Sequence, residues 1–162
     1  MEAIREGDIP GVQIRRRQGL ALAREEAWRW LVEPARLALW LAEGAEIDES
    51  GFLLRGESPR VDPPAGPWRE RGRTVEMIPP EVWVLAFERL DAGWSASTRL
   101  TLRLHSTPVG CEIDVLQQGF QRLPLSVGLT VWESYRLRWR TALARLAEVA
   151  GHAAASGPAQ LT

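Results

Sequence analysis

Residues 97–119, with the sequence STRLTLRLHSTPVGCEIDVLQQG, contain two runs in which apolar and polar residues alternate. In the first run Leu100, Leu102 and Leu104 share one side, and in the second run Ile113 and Val115 do the same. Such alternation is typical of antiparallel strands that bury one face and leave the other in water. The stretch therefore predicts a hairpin whose apolar face needs a covering element.

The intervening loop, residues 105–110, predicts a register for this hairpin if the two strands close symmetrically around it. The predicted pairs on the apolar face are Leu104 with Cys111, Leu102 with Ile113, and Leu100 with Val115. On the polar face the same register places Arg103 opposite Glu112, which is a favourable cross-strand charge pair.

The covering element is predicted at residues 130–151, TVWESYRLRWRTALARLAEVAG. Thr130 and Glu133 have the spacing of a capping box, and Gly151 is expected to end the helix. Apolar residues at helical spacing form one stripe along it: Trp132, Tyr135, Trp139, Leu143, Leu146 and Ala150. We expect this stripe to lie on the apolar face of the sheet.

The other elements complete a single domain at residues 12–151, with residues 1–11 and 152–162 expected to be flexible tails. A strand is predicted at 12–17, whose three arginines we expect in solvent at a strand edge. Helices are predicted at 24–32 and 34–43, separated at Pro34. Further strands are predicted at 44–48, 51–57, 71–78 and 82–90.

The turn at residues 79–81 predicts which side chains of the strands beside it face inward. If Ile78 faces Val82, the inner face holds Val75, Met77, Trp83, Leu85 and Phe87. Arg73 then points inward as well, whereas a one-residue bulge would turn it outward.

Composition excludes several classes of protein. The formal net charge is −1, so no long-range field attracts nucleic acid. No run approaches the roughly 20 apolar residues that stable membrane insertion needs, and no secretion signal opens the chain, so a cytoplasmic location is expected. One cysteine and two histidines, His105 and His152, without metal-ligand spacing, predict neither a metal nor a cofactor. We expect Cys111 to act as a small inward hydrophobe.

The predicted order of elements resembles the helix-grip superfamily, which includes the START (SRPBCC) lipid carriers and the birch-pollen allergen. The residues that carry the resemblance are AREEAWRWLVEPARLALWL, GFLLRG, VEMIPPEVWVLAFE and the pair GF at 119–120, together with the C-terminal helix. The chain is most similar to the branch named after activators of the heat-shock ATPase. The resemblance implies an α+β fold in β-α-α-β6-α order, with a curved antiparallel sheet wrapped around the long helix.

The chain departs from the family pattern at two places. Trp30 and Leu39 are large and apolar, and helical geometry turns both away from the core-facing residues. They are candidates for a homodimer contact or the mouth of an apolar site, unless a loop covers them. The proline-rich connection at residues 58–72 is long enough to be a lid, and Trp68 near its end either closes a cavity or anchors the loop.

The function implied by the resemblance is binding of a small apolar or amphipathic ligand, such as a lipid, a polyketide or an aromatic molecule, between sheet and helix. The predicted lining residues are Trp83, Leu85, Phe87, Leu102, Ile113, Tyr135 and Trp139. The same residues would otherwise fill the interior completely. The first alternative is a polyketide cyclase or aromatase that uses Tyr135 or Arg73 as general acid or base. The second is a co-chaperone or protein-interaction module that uses Trp30, Leu39 and the loop.

Overall fold

The protein consists of an antiparallel sheet, two short helices and one long helix. A computed structural model describes residues 4–57 and 67–160, with side chains to residue 155. In chain order the elements are β1 (Gln13–Leu20), α1 (Arg24–Val32), α2 (Pro34–Leu37), β2 (Gly44–Asp48), β3 (Gly51–Gly56), β4 (Trp68–Ile78), β5 (Val82–Arg89), β6 (Thr98–Thr107), β7 (Gly110–Gln118), a single turn of 3-10 helix (Phe120–Arg122) and α3 (Leu125–Gln160).

The described strands form one curved sheet in the order β1-β7-β6-β5-β4-β3-β2, and every neighbouring pair is antiparallel. Helix α3 lies against its inner face. Its predicted apolar stripe is buried along its whole length, with no member more than 3% exposed. The prediction of an α+β architecture with a one-sided antiparallel sheet and a long C-terminal helix is confirmed.

The hairpin of β6 and β7 has the predicted faces but a different register. Leu104 lies opposite Ile113, Leu102 opposite Val115, and Leu100 opposite Gln117. On the outer face Arg103 lies opposite Asp114 rather than Glu112. The predicted register is wrong by two residues because the strands continue to Thr107 and Gly110, so that only two residues form the turn. Since side chains alternate with a period of two, this slip leaves every face unchanged.

Strand β4 contains a bulge that overturns the predicted inner face. The register with β5 shifts between Thr74 and Glu76, so Thr74 lies opposite Leu85. Val75 is 60% exposed, and Arg73 points outward into solvent. The extra residue of the bulge reverses the side on which every preceding residue of β4 lies.

Both boundaries of the long helix differ from the prediction. Helix α3 begins at Leu125, where Gly128 N donates to the carbonyl of Pro124 at 2.9 Å. Thr130 and Glu133 therefore lie inside the helix rather than at its cap. Gly151 does not end it, because a helical glycine costs only about 1 kcal/mol and the alanines that follow favour the helix.

Helix α2 is shorter than predicted and ends at Leu37. Residues 38–41 form turns in which Trp40 and Leu41 are buried, and Trp40 Nε1 donates to the carbonyl of Trp30 at 3.0 Å. Burial of these side chains favours a turn over a regular helix. Strand β2 begins at Gly44, as predicted.

The segment before β1 contacts the domain through Asp8, within the part of residues 1–11 that the structure describes. The Asp8 side chain is fully buried and accepts a hydrogen bond from Arg16 Nη1 at 2.7 Å. Arg136 of α3 approaches the same carboxylate at 3.5 Å. Arg16 is therefore buried, and the expectation that all three arginines at 15–17 lie in solvent is wrong for Arg16.

Within residues 4–57 and 67–160, no helix is long and apolar enough to cross a membrane. The same residues contain no group of histidine, cysteine and acidic side chains that could hold a metal ion.

Candidate functional site

A buried carboxylate lies between the sheet and α3. Glu70 points inward from β4 and its side chain has no exposure. It accepts hydrogen bonds from the hydroxyl of Tyr135 and from Nη1 of Arg138, both on α3. A carboxylate out of contact with water needs such a cation, because burial of an unpaired charge is costly.

Arg138 connects this carboxylate to a third part of the fold. Its Nη2 donates to the carbonyl of Leu41, at 2.8 Å, just before β2. The guanidinium also lies over the ring of Trp68, 5.0 Å from the ring centroid. The side chain is 12% exposed, so one guanidinium at the rim of the interior holds β4, α3 and the chain before β2 together.

Three aromatic rings pack against the ring of Tyr135. Its ring lies 5.8 Å from that of Phe87 and 5.8 Å from that of Trp94, both in edge-on geometry. The ring of Phe120 lies 6.0 Å away in a tilted orientation. These are the separations at which aromatic pairs attract one another, so the four rings form a preorganised apolar wall.

Trp94, one of the four rings of this wall, carries an unsatisfied hydrogen-bond donor. It lies in the connection between β5 and β6, and its ring packs on Phe87 and Tyr135. Its indole Nε1 is buried and has no hydrogen-bond partner in the described part of the chain. A buried N–H without an acceptor costs about 1–3 kcal/mol, so an acceptor placed here would be favoured.

The indole donors of Trp83 and Trp139 are satisfied, whereas Trp30 Nε1 on α1 is, like Trp94 Nε1, buried without a hydrogen-bond partner among the described residues. Trp139 Nε1 donates to Gln117 Oε1 at 2.8 Å, and Gln117 Nε2 donates to Thr98 Oγ1 at 3.0 Å. Trp83 Nε1 donates to Thr74 Oγ1 at 2.9 Å. Trp94 is therefore distinct from Trp83 and Trp139 in having a free indole donor.

All seven residues that the sequence predicted to line a ligand site face the interior, and none is more than 1% exposed: Trp83, Leu85, Phe87, Leu102, Ile113, Tyr135 and Trp139. Tyr135 and Phe87 belong to the aromatic wall, whereas Leu102 and Ile113 lie on the strands β6 and β7. That these residues contact a ligand stays a prediction.

The three residues predicted for an interface or lid differ in solvent exposure. Leu39 is 47% exposed, but Trp30 is only 5% exposed, so the expectation that Trp30 lies outside the core is wrong. Arg36 covers the ring of Trp30, at 5.1 Å from the centroid. Trp68 is buried, as an anchor would be. Most of the predicted lid, residues 58–66, lies outside the described residues.

Cys111 faces inward as predicted and is 1% exposed. Burial, followed by the charge of Glu25, raises the pKa of its thiol. The thiol therefore stays protonated near neutral pH and behaves as a small apolar group.

Sequence reasoning missed Glu70, Trp94 and Arg138. Glu70 shares one side of β4 with Trp68, Gly72 and Thr74, and the arginines between them lie on the other side. This alternation is visible in the sequence, but the bulge that turns it inward is not. Arg138 follows Tyr135 by three positions and so lies on the same side of the helix. No pattern marked Trp94, which lies in an irregular connection.

Comparison with known proteins identifies chains of similar fold but gives no information about function. No protein-family model and no curated protein matches the chain. A solved structure of a Chromobacterium violaceum protein is 22% identical with a TM-score of 0.66, and the match covers 85% of this chain and 96% of that chain. A Nitrosomonas europaea protein is 16% identical with a TM-score of 0.69, covering 91% and 99%.

DynU16, a protein in the dynemicin biosynthetic locus, is 14% identical with a TM-score of 0.61. The match covers 84% of this chain and only 46% of DynU16. At identities this low the likeness shows a shared fold alone, since one fold serves many functions.

Proposed function

We propose that the chain is a helix-grip protein of the START-like superfamily and that it binds a small amphipathic molecule between the sheet and α3. The observation that carries the proposal is the buried, unpartnered indole N–H of Trp94 beside the ring of Tyr135. A carbonyl or hydroxyl oxygen of the ligand would accept this hydrogen bond. The apolar body of the ligand would pack on the aromatic wall.

The charges of the site favour an uncharged polar head on this ligand. Glu70 is already paired with Arg138, so neither of these two charges beside the aromatic wall is free to pair with a ligand. A charged head would lose its hydration without gaining a partner. Hence a neutral alcohol, ketone or phenol fits the site better than a fatty-acid carboxylate does.

Calorimetric titration with 1-naphthol and with hexadecanoate tests the proposal. We expect 1-naphthol to bind the wild-type protein, and Trp94→Phe, which keeps a ring but removes the N–H, to weaken its binding about 5-fold or more. Trp28→Phe alters another buried tryptophan, on α1, and serves as the matched control. Equal effects of the two substitutions, or failure of both molecules to bind, would refute the proposal.

A second candidate function is catalysis by Tyr135. The observation that favours it is the hydrogen bond from the phenol to the buried carboxylate of Glu70, because a phenol held in this way can pass a proton through the pair. Arg73, the other predicted catalytic residue, points outward and takes no part. In a cyclisation assay Tyr135→Phe would abolish turnover while leaving the binding of 1-naphthol measurable.

A further inference from the structure

The outer face of the sheet carries a groove rich in arginine, on the side opposite α3. It has a volume of about 370 Å³ and lies across β1, β7 and β6. Its lining includes Arg15, Arg99, Thr101, Arg103 and Asp114. Three arginines thus face one carboxylate in a chain whose net charge is −1, so positive charge is concentrated here.

The single carboxylate that lines the groove, Asp114, already forms ion pairs with arginines of β1. Arg15 donates to both oxygens of Asp114, from Nε at 3.2 Å and from Nη2 at 2.7 Å, and Arg17 Nε approaches at 3.4 Å. Burial opposes ionisation of Asp114, but the hydrogen bonds and charges of Arg15 and Arg17 hold its pKa below the ordinary value. Asp114 therefore stays ionised and is paired with Arg15 and Arg17 of β1.

Arg99 and Arg103 remain without an acidic partner in the part of the chain that the structure describes. Both are exposed and point outward from β6, four positions apart, which places their Cα atoms about 13 Å from each other. Thr101 lies between them on the same face. The next acid along β7 is Glu112, which pairs in register with His105 beyond the groove.

We propose that this groove binds a small molecule that carries a diphosphate group. Arg99 and Arg103 approach the phosphates from opposite ends, and the hydroxyl of Thr101 donates between them. A guanidinium forms paired hydrogen bonds to phosphate oxygens, which makes two unpaired arginines a better match for phosphate than for a single carboxylate. The volume of the groove lies within the range of small-molecule sites.

Calorimetric titration with inorganic pyrophosphate at about 50 mM and about 200 mM salt tests this site. We expect the double substitution R99Q/R103Q to weaken binding by about 10-fold or more, and R99K/R103K to weaken it less, because lysine keeps the charge but not the paired geometry. The matched control is R69Q/R73Q, which removes two exposed, outward-facing arginines with the same spacing on β4. The control should leave the affinity within about 2-fold of wild type.

Three results would overturn the proposal. They are the absence of pyrophosphate binding at low salt, equal losses in the two double variants, and competition by sulfate at the same concentration as pyrophosphate. Circular dichroism shows whether each variant folds. If R99Q/R103Q does not fold, the wild type is titrated with pyrophosphate and its arginine Nε–H resonances are recorded by NMR. The resonances of Arg99 and Arg103 should shift, and their failure to shift would overturn the proposal. Trp94→Phe should leave pyrophosphate binding unchanged, which separates this site from the interior one.

Discussion

Tyr135 of α3 donates its hydroxyl proton to the carboxylate of Glu70 on β4, and this buried hydrogen bond joins the C-terminal helix to the sheet. Both side chains have no exposure to solvent. Arg138, one turn further along the helix, neutralises the same carboxylate. The contact explains how a buried carboxylate is accommodated between the helix and the sheet.

Replacing Tyr135 by phenylalanine should destabilise the protein by about 1–3 kcal/mol, because Glu70 loses a donor in a buried site. Urea unfolding at neutral pH measures the change. Glu70→Gln should cost more, since it also leaves Arg138 without its anion. A double substitution whose cost equals the sum of the two single costs would show that the residues do not interact.

Two buried tryptophans should respond differently to the same conservative change. Trp139→Phe removes the donor to Gln117 Oε1 and leaves that oxygen buried without it, so we expect a cost of about 1–3 kcal/mol beyond the loss of packing. Trp94→Phe strands no acceptor, because the Trp94 indole N–H has none among the described residues. In thermal unfolding Trp94→Phe should therefore be the milder substitution, and the reverse order would contradict the assignment of a free donor.

The buried Asp8 should make stability depend on pH in the acid range. Burial raises the pKa of Asp8, but hydrogen bonds from Arg16 and from the backbone of Arg5 and Arg15 outweigh burial and lower it overall. A lowered pKa in the folded state stabilises the protein above the ordinary carboxyl pKa of about 4, and this contribution is lost as pH falls through the folded-state value.

Asp8→Asn should accordingly cost about 3–5 kcal/mol near neutral pH, because Arg16 and Arg136 lose a shared anion. The difference between wild type and variant should shrink as pH falls below about 4, because Asp8 is then protonated in the unfolded chain, and it should vanish once pH falls through the lower folded-state pKa of Asp8. Urea unfolding at a series of pH values measures this difference. A difference that is constant down to pH about 2 would show that Asp8 does not contribute through its charge.

Two glycines in strands should tolerate a methyl group very differently. A Cβ on Gly56 would lie 2.7 Å from Nε1 of Trp68, a separation at which the two atoms clash. A Cβ on Gly19 would meet no atom within 4 Å. We expect Gly56→Ala to cost about 1–3 kcal/mol and Gly19→Ala to change stability by less than about 1 kcal/mol. Denaturant unfolding of both variants checks the close approach of Trp68, and equal costs would contradict it.

The sequence predicted the fold where a periodic pattern met a single physical requirement. The alternation at residues 97–119 and the stripe from Trp132 to Ala150 each define one apolar face, and the two faces can leave water only by packing together. These predictions hold even where the register was wrong, because a slip of two residues keeps each side chain on its face.

Tertiary structure decided which side of β4 faces the interior and which distant residues pack together, because no local sequence pattern specifies either. The bulge in β4 reverses its inner face, so that Glu70 enters the interior while Arg73 leaves it. Trp30 is buried with Arg36 over its ring, and Trp94 reaches Tyr135 from an irregular connection. Hydrophobic periodicity determines which face of an element is buried. The partners of the polar groups on that face depend on distant segments, which meet only after the chain has folded.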